Sequence, residues 1–306
     1  MALYTERNNL RNEIKKTYDI SPSAYRLLFD FCETKFNNIA WKFPLYCPDD
    51  ENIICGYDIE KLMTDLKFEI PSIMRDGKFI RPRDIGNVNY YADEDDKYDQ
   101  YAIFDLIEYI YNNYESYKAD YYHSFFHHYH LSFFKNSVEL INFCCEINKK
   151  FKKTGLLYEM QPNGKIKRVV SNEGSLNNLK ENINYSNDDI LKKIIDDAIS
   201  YYLKPGPDSI ELAVDKIWDA FERIKTYYVD LDKKNSGNKI IEQCSCGDDE
   251  IRNILNNEYK ILTDIGNSFR IRHSERGKME FKSDYHREYF FNRCVSFLLL
   301  IAEHIK

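Results

Sequence analysis

The stretch "FRIRHSERGK" (269–278) sets Arg270, Arg272, His273, Glu275 and Arg276 within a few residues of one another. These residue types can cleave RNA without a metal. An imidazole titrates near neutral pH and can carry protons to and from a ribose 2′-hydroxyl or a leaving 5′-oxygen, while a guanidinium stabilises charge developing on the phosphate. A plainer reading stands beside it: cations gather in a helix's last turn because that end is partly negative, and Gly277 is placed as a cap.

The element that must position the stretch is a helix beginning near residue 249. Its apolar positions Ile251, Leu255, Leu262, Ile265 and Phe269 step by three, four or seven, and continuing the stripe lands on Arg272 and His273. Those side chains are therefore predicted to lean toward neighbouring helices, where a charge needs a partner. The preceding helix offers one: Trp218, Glu222 and Lys225 fall on one face beside Ile217, Phe221 and Ile224. Local positive charge is added by Lys233, Lys234 and Lys239 in a predicted loop, by Lys278, and by His286, Arg287 and Arg293 downstream.

This positive patch sits on an acidic chain. The 306 residues carry a net charge of −7, which excludes a protein that coats polyanions over its whole surface. Eight cysteines without a CxxC pair, and a start lacking a signal-peptide apolar core, imply a reduced, cytoplasmic protein. The longest apolar run, "VSFLLLIA", is far below the ~20 residues that span a bilayer, so no membrane partner is expected.

Along the chain, Ser21-Pro22 opens a helix over 22–38, and "IEKLMTDLKF", "YAIFDLIEYIYNNY" and "SFFKNSVELINFCCEINKKFKKTG" follow as further helices, the last stopped by Gly155. "WKFPLYCPDDENIICGYD" reads as an irregular connection because of Pro44, Pro48 and Gly56, and "RPRDIGNVNYYADEDDKYDQ" as a solvated acidic loop. Asn163-Gly164 predicts a β-hairpin near 156–170, the one place where strand is expected. Its Lys165, Lys167 and Arg168 alternate, as a polar hairpin face or an RNA-tracking edge would. The organisation predicted is mainly α: a helical N-terminal domain with that hairpin over 1–171, a linker over 172–186, and a bundle of four helices over 187–306.

Metal and nucleotide chemistry are read as absent. His123, His127 and His130 share one face if "YYHSFFHHYHLSFF" is a helix, but the segment holds no cysteine or carboxylate to complete a site, and packed histidines are the expectation. Cys47 with Cys55, and Cys244 with Cys246, lack zinc spacing; adjacent Cys144 and Cys145 read as buried helix. No glycine-rich phosphate cradle occurs, so no cofactor is expected.

Several blocks in order carry a resemblance. "KIWDAFERIKTYY", "DKKNS", "EYKILTDIGNSFRIRHSERGK" and "YFFNRCVSFLLLI" look like the C-terminal half of AbiJ-like bacterial abortive-infection proteins, and "EINKKFKKTGLLYEMQPNGKIKRV" is similar to their N-terminal region. The resemblance covers most of the chain, more loosely before residue 100. It implies a C-terminal HEPN-type helical domain that dimerises and cleaves RNA without metal in an infected cell, answering a phage-derived trigger. HEPN nucleases usually carry an arginine, four to six residues and then a histidine, and none of the seven histidines here has an arginine at that distance upstream. The compact "IRHSE" stands in its place. Transfer by position gives Arg272, His273 and Glu275 as catalytic, with Glu222 and Lys225 as supporting; beside it, the local positive charge makes Arg270 a further supporting residue and Lys233, Lys234, Lys278 and Arg287 the expected RNA contacts. A divergent HEPN domain can also be a non-catalytic binding or regulatory module, and that alternative stays open.

Overall fold

The computed structural model describes residues 3–8, 10, 14–83, 97–183, 188–204, 206, 208–269, 271 and 277–304. The protein is mainly helical with a small antiparallel sheet, and it divides into two units, Met1–Arg168 and Val169–Lys306, each with its own apolar core.

The N-terminal unit begins with α1 (Tyr4–Arg7) and α2 (Pro22–Glu33), and α2 starts where Ser21 accepts a hydrogen bond from the amide of Ala24 with Pro22 in the first turn. The residues after it are a short 3₁₀ turn, Phe36–Ile39, rather than continued α-helix. Next come β1 (Pro44–Cys47) and β2 (Asp50–Tyr57), α3 (Ile59–Glu69) capped by Asp58, and the two-residue strands β3 (Met74–Arg75) and β4 (Lys78–Phe79). The unit continues with α4 (Ala102–Asn112), β5 (Ser116–His123), β6 (His128–Phe134), α5 (Ser137–Thr154), β7 (Tyr158–Met160) and β8 (Ile166–Arg168). Most of the expected acidic loop, residues 84–96, lies outside the described residues.

Strand content corrects two expectations. Residues 44–57 are a hairpin, and 116–134 are a second hairpin instead of helix; together they form an antiparallel sheet ordered β1-β2-β6-β5. Pro44 does not break this arrangement because it opens an edge strand, where a missing N–H removes no required ladder bond. The second hairpin is dense in Tyr, Phe and His, and aromatic side chains suit a pleated, half-exposed surface. The predicted Asn163-Gly164 hairpin is present as β7 and β8: Gly164 takes φ +82°, and a Cβ there would sit 2.1 Å from the Tyr111 ring. Gly155 ends α5 in the left-handed conformation, φ +77°.

The C-terminal unit is helical throughout its named elements: α6 (Glu173–Ile183), α7 (Asp189–Leu203), α8 (Ser209–Ile224), α9 (Lys233–Cys244), α10 (Asp249–Ser268) and α11 (Asp284–His304). Two of these correct the four-helix expectation. Within the expected linker over 172–186, Glu173–Ile183 is helix, its Leu176, Leu179 and Ile183 forming a buried stripe. The "DKKNS" segment is also helix, because Asp232 caps it by accepting from the amide of Asn235. Among the described residues, no helix is long and apolar enough to cross a membrane.

One polar clamp fixes the start of α7. Asp188 caps the helix by accepting from the amides of Ile190 and Leu191, and its carboxylate also takes Arg223 Nε at 2.7 Å and Nη2 at 2.8 Å. Burial works to raise its pKa, but the Arg223 and backbone donors outweigh burial and hold it below the usual aspartate value. A depressed carboxylate pKa contributes stability above its unfolded value and loses it as pH falls through the folded one. Asp188→Ala is therefore expected to cost about 1.5–2.5 kcal/mol near neutrality, cap and half-exposed pair together. Urea unfolding repeated near pH 3 should find a smaller gap between variant and wild type; an unchanged gap would contradict the linkage.

Candidate functional site

The face of α8 expected to supply a partner for the charges of the 269–278 stretch is built as one cluster. Eight of its residues, Ile210 to Ile224, are buried at helical spacing, so the last turn is driven against α10 and α11 and takes Lys225, its C-cap, inside with it. Lys225 is 2% exposed. Its Nζ donates to Glu222 Oε1 at 2.5 Å and to Thr263 Oγ1 of α10 at 2.9 Å, and lies over the rings of Phe221 (4.3 Å), Trp218 (5.1 Å) and Tyr259 (5.1 Å). Glu222 is shared: its Oε2 accepts from Lys233 Nζ at 2.5 Å.

Electrostatics separates the three roles. Burial pushes the Lys225 ammonium down from the ordinary lysine value, against the pull of Glu222. Burial also works to raise Glu222, but its two ammonium partners win and keep it ionised below the usual glutamate range. An ionised, doubly paired carboxylate is a weak proton acceptor, so Glu222 serves to hold two cations in place. Lys225 cannot reach solvent, and Lys233, with a half-exposed side chain, is the member of the trio able to meet a phosphate.

The end of α10 is rooted in this cluster. Thr263 bonds Lys225, and Gly266 lies so close to Trp218 that a Cβ would fall 2.1 Å from its ring. The helix stops at Ser268, after Gly266-Asn267-Ser268, three residues with weak helix preference. This corrects the expectation that α10 runs on through Phe269. It also corrects the stripe at its start, for Ile251 is exposed. Beyond α10 the chain is extended at Phe269, which bridges to Met279 and stacks on Phe281 at 4.7 Å, while Ile271 is buried. Arg270, Arg272, His273, Glu275 and Arg276 lie outside the described residues.

The remaining predicted contacts are dispersed. Lys234 is exposed in the first turn of α9, and Lys239 lies 4.0 Å over the Tyr228 ring. Lys278 reaches back to the carbonyl of Gly266 at 3.5 Å. Arg287 pairs with Asp284 at 3.1 Å and Glu211 at 4.0 Å, near the start of α8 and eleven residues, or about 16 Å of helix, from Glu222. Arg293 forms a two-pronged pair with Glu258.

A second cluster, in the N-terminal unit, was missed in the sequence. One ligand atom from each of Cys47, His123, His128 and His130 lies within 4.8 Å of all the others. His123 and His128 face each other across the β5–β6 hairpin, and His130 lies two residues on, hence on the same strand face as His128. Cys47 ends β1, after two register shifts, with its Sγ 3.4 Å from His123 Nδ1. His127, expected in the set, is instead the turn residue, φ +55°, beside Tyr122. The usable signals were the strand spacing His128-x-His130 and a hairpin-forming turn ahead of it; nothing local announces Cys47. Burial, with His123 and His130 alongside, pushes the His128 pKa down and favours a neutral ring with a free lone pair.

Comparison of the chain with known protein families, curated proteins and solved structures finds no match.

Proposed function

We propose that the C-terminal unit is a HEPN-like helical effector, acting as a metal-independent endoribonuclease in bacterial antiphage defence, with the N-terminal unit sensing or restraining it and a second copy completing a dimer. The observation that carries this reading is the Glu222–Lys225–Lys233 cluster at the root of α10. It concentrates cations on an acidic chain and grips, through Thr263 and Gly266, the helix from which the Arg270–Arg276 stretch departs. In the mechanism proposed, His273 moves the proton during in-line attack of the 2′-hydroxyl, Arg272 and Arg270 hold the phosphate, and Glu275 orients them. Glu222 and Lys225 act as positioning residues, while Lys233, Lys234 and Lys278 supply phosphate contacts.

The test is incubation of folded wild type and His273→Ala with total bacterial RNA and no added divalent cation. Cleavage by wild type alone, leaving 2′,3′-cyclic phosphate ends, is expected. Ends bearing a 3′-hydroxyl, or equal cutting by the variant, would sink the mechanism. One observation favours a second reading: Lys225 is buried with its donors directed to protein partners, as in a scaffold. RNA or partner binding without cleavage, equal in both proteins, would select that binding module.

A further inference from the structure

We propose that Cys47, His123, His128 and His130 form a closed, tetrahedral zinc site that pins the two hairpins of the N-terminal sheet together. The donor set is one thiol and three imidazoles, the soft and borderline ligands that Zn²⁺ takes in four-coordinate sites. With Zn–N about 2.0–2.1 Å and Zn–S about 2.3 Å, ligand atoms around a tetrahedral ion stand roughly 3.3–3.7 Å apart. Cys47 Sγ and His123 Nδ1 are already 3.4 Å apart, and the remaining ligand-to-ligand separations, all within 4.8 Å, need only a small contraction.

Two further observations point to a ligand. The Nε2 atoms of His128 and His130 are buried and have no hydrogen-bond partner. Burying a ring nitrogen with nothing to bond forfeits its hydration without return, and a cation between the two removes that cost. His123 is oriented as metal-binding histidines are: Nδ1 faces the cluster, and Nε2 lies 3.3 Å from Asp49 Oδ2. A carboxylate on the far nitrogen fixes the tautomer that leaves Nδ1 free to ligate.

The arrangement has a rival, because Cys47, His123 and Asp49 in line also resemble an activated cysteine nucleophile. That reading accounts for the thiol and one imidazole, but leaves the His128 and His130 nitrogens unexplained. It also places the attacking sulfur on a residue 2% exposed, with three imidazole rings around it. Four protein ligands leave no open coordination position, so the zinc is structural. Its place in the fold gives it work: β2 and β6 are paired through Ile54 opposite Leu131, and the metal adds a second tie, from the end of β1 to the β5–β6 turn. Cys47 binds as thiolate, its proton released to water.

The full-length protein, expressed with zinc and desalted, is expected to hold about one zinc per chain by elemental analysis. His128→Asn and Cys47→Ser should each reduce this at least tenfold, while His127→Asn, a substitution the left-handed position tolerates, should keep it. Because ligand variants can fail to fold, the wild-type chain provides the independent reading. Chelator-stripped protein titrated with Co²⁺ should develop the strong visible bands of tetrahedral cobalt and a thiolate charge-transfer band. Alkylation mapped to Cys47 should be slower in the zinc-loaded form than in the stripped one. Folded wild type that takes up neither zinc nor cobalt would overturn the proposal, and fast alkylation of Cys47 regardless of metal would select the nucleophile instead.

Discussion

Glu222→Leu is expected to destabilise the C-terminal unit by about 3–5 kcal/mol at pH 7, because it strips a buried ammonium of its counter-charge. The upper end is set by chemistry. Lys225 can shed its proton instead of staying charged, and going from the ordinary lysine value of about 10.4 down to pH 7, at about 1.4 kcal/mol per pH unit, that costs about 4.6 kcal/mol. Burial already depresses Lys225 in the wild type, against Glu222, and removing Glu222 depresses it further. The sign of the pH effect follows. Between the depressed folded pKa and the unfolded one the unfolded chain binds more protons, so stability rises with pH across that window. The deficit of Glu222→Leu should shrink as pH climbs from about 7 toward 10, as read by denaturant unfolding at each pH. Adding Lys225→Met should recover most of the loss, since a flexible thioether fills the space among Trp218, Phe221 and Tyr259 without a charge. A loss under about 1 kcal/mol with no pH trend would mean that Glu222 is not what keeps Lys225 charged. The folded double variant then asks a functional question: whether the trio matters to RNA beyond holding α8 to α10.

What was legible in the sequence was local. Ser21-Pro22, Gly155 and Asn163-Gly164 each act through the backbone conformation of one or two residues, and each marks an element boundary where expected. Helix spacing placed Glu222 and Lys225 on one face, since residues three apart on a helix meet, but it offered Glu222 to an arginine of the 269–278 stretch, whereas its carboxylate is taken by Lys225 and Lys233. The failures are non-local. The stretch 116–134 is aromatic at every spacing, so helical and alternating patterns fit it equally, and strand pairing decides, of β5 with β6 and of β6 with β2 across 77 positions at Ile54 and Leu131. Choosing helix there selected His127 over His128 and hid the approach of Cys47 to His123, 76 positions away. The end of α10 failed differently: an apolar stripe can continue on paper past Ser268, but Gly266-Asn267-Ser268 had already weakened the helix.

Gly266→Ala pits two opposed terms against each other at that helix end. In an open helix the change gains about 1 kcal/mol from backbone preference. Here the added Cβ would stand 2.1 Å from Trp218 Cη2 and Cζ2 and 2.5 Å from Cε2. The indole cannot swing away cheaply, being 5% exposed with Phe221 at 5.2 Å, Phe290 at 6.1 Å and the Lys225 ammonium at 5.1 Å. Overpacking of a filled core costs about 1–3 kcal/mol and sometimes more, and a contact this short lies at the severe end. The clash therefore wins, and thermal or urea unfolding should record a net loss of about 1–3 kcal/mol. Trp218→Phe supplies the complement: alone it leaves a cavity, but combined with Gly266→Ala the new methyl occupies part of the vacated space. The double variant should then exceed the sum of the singles by about 1–3 kcal/mol, the signature of direct contact. A stabilised Gly266→Ala would show instead that α10 and α8 do not approach this closely. The same pair bears on the proposed nuclease, because Gly266 also accepts from Lys278, so a displaced Trp218 shifts both flanks of the 269–278 stretch. RNA cleavage assayed well below the melting point should fall in Gly266→Ala and return with Trp218→Phe, whereas a variant that is merely less stable would cut normally in the cold.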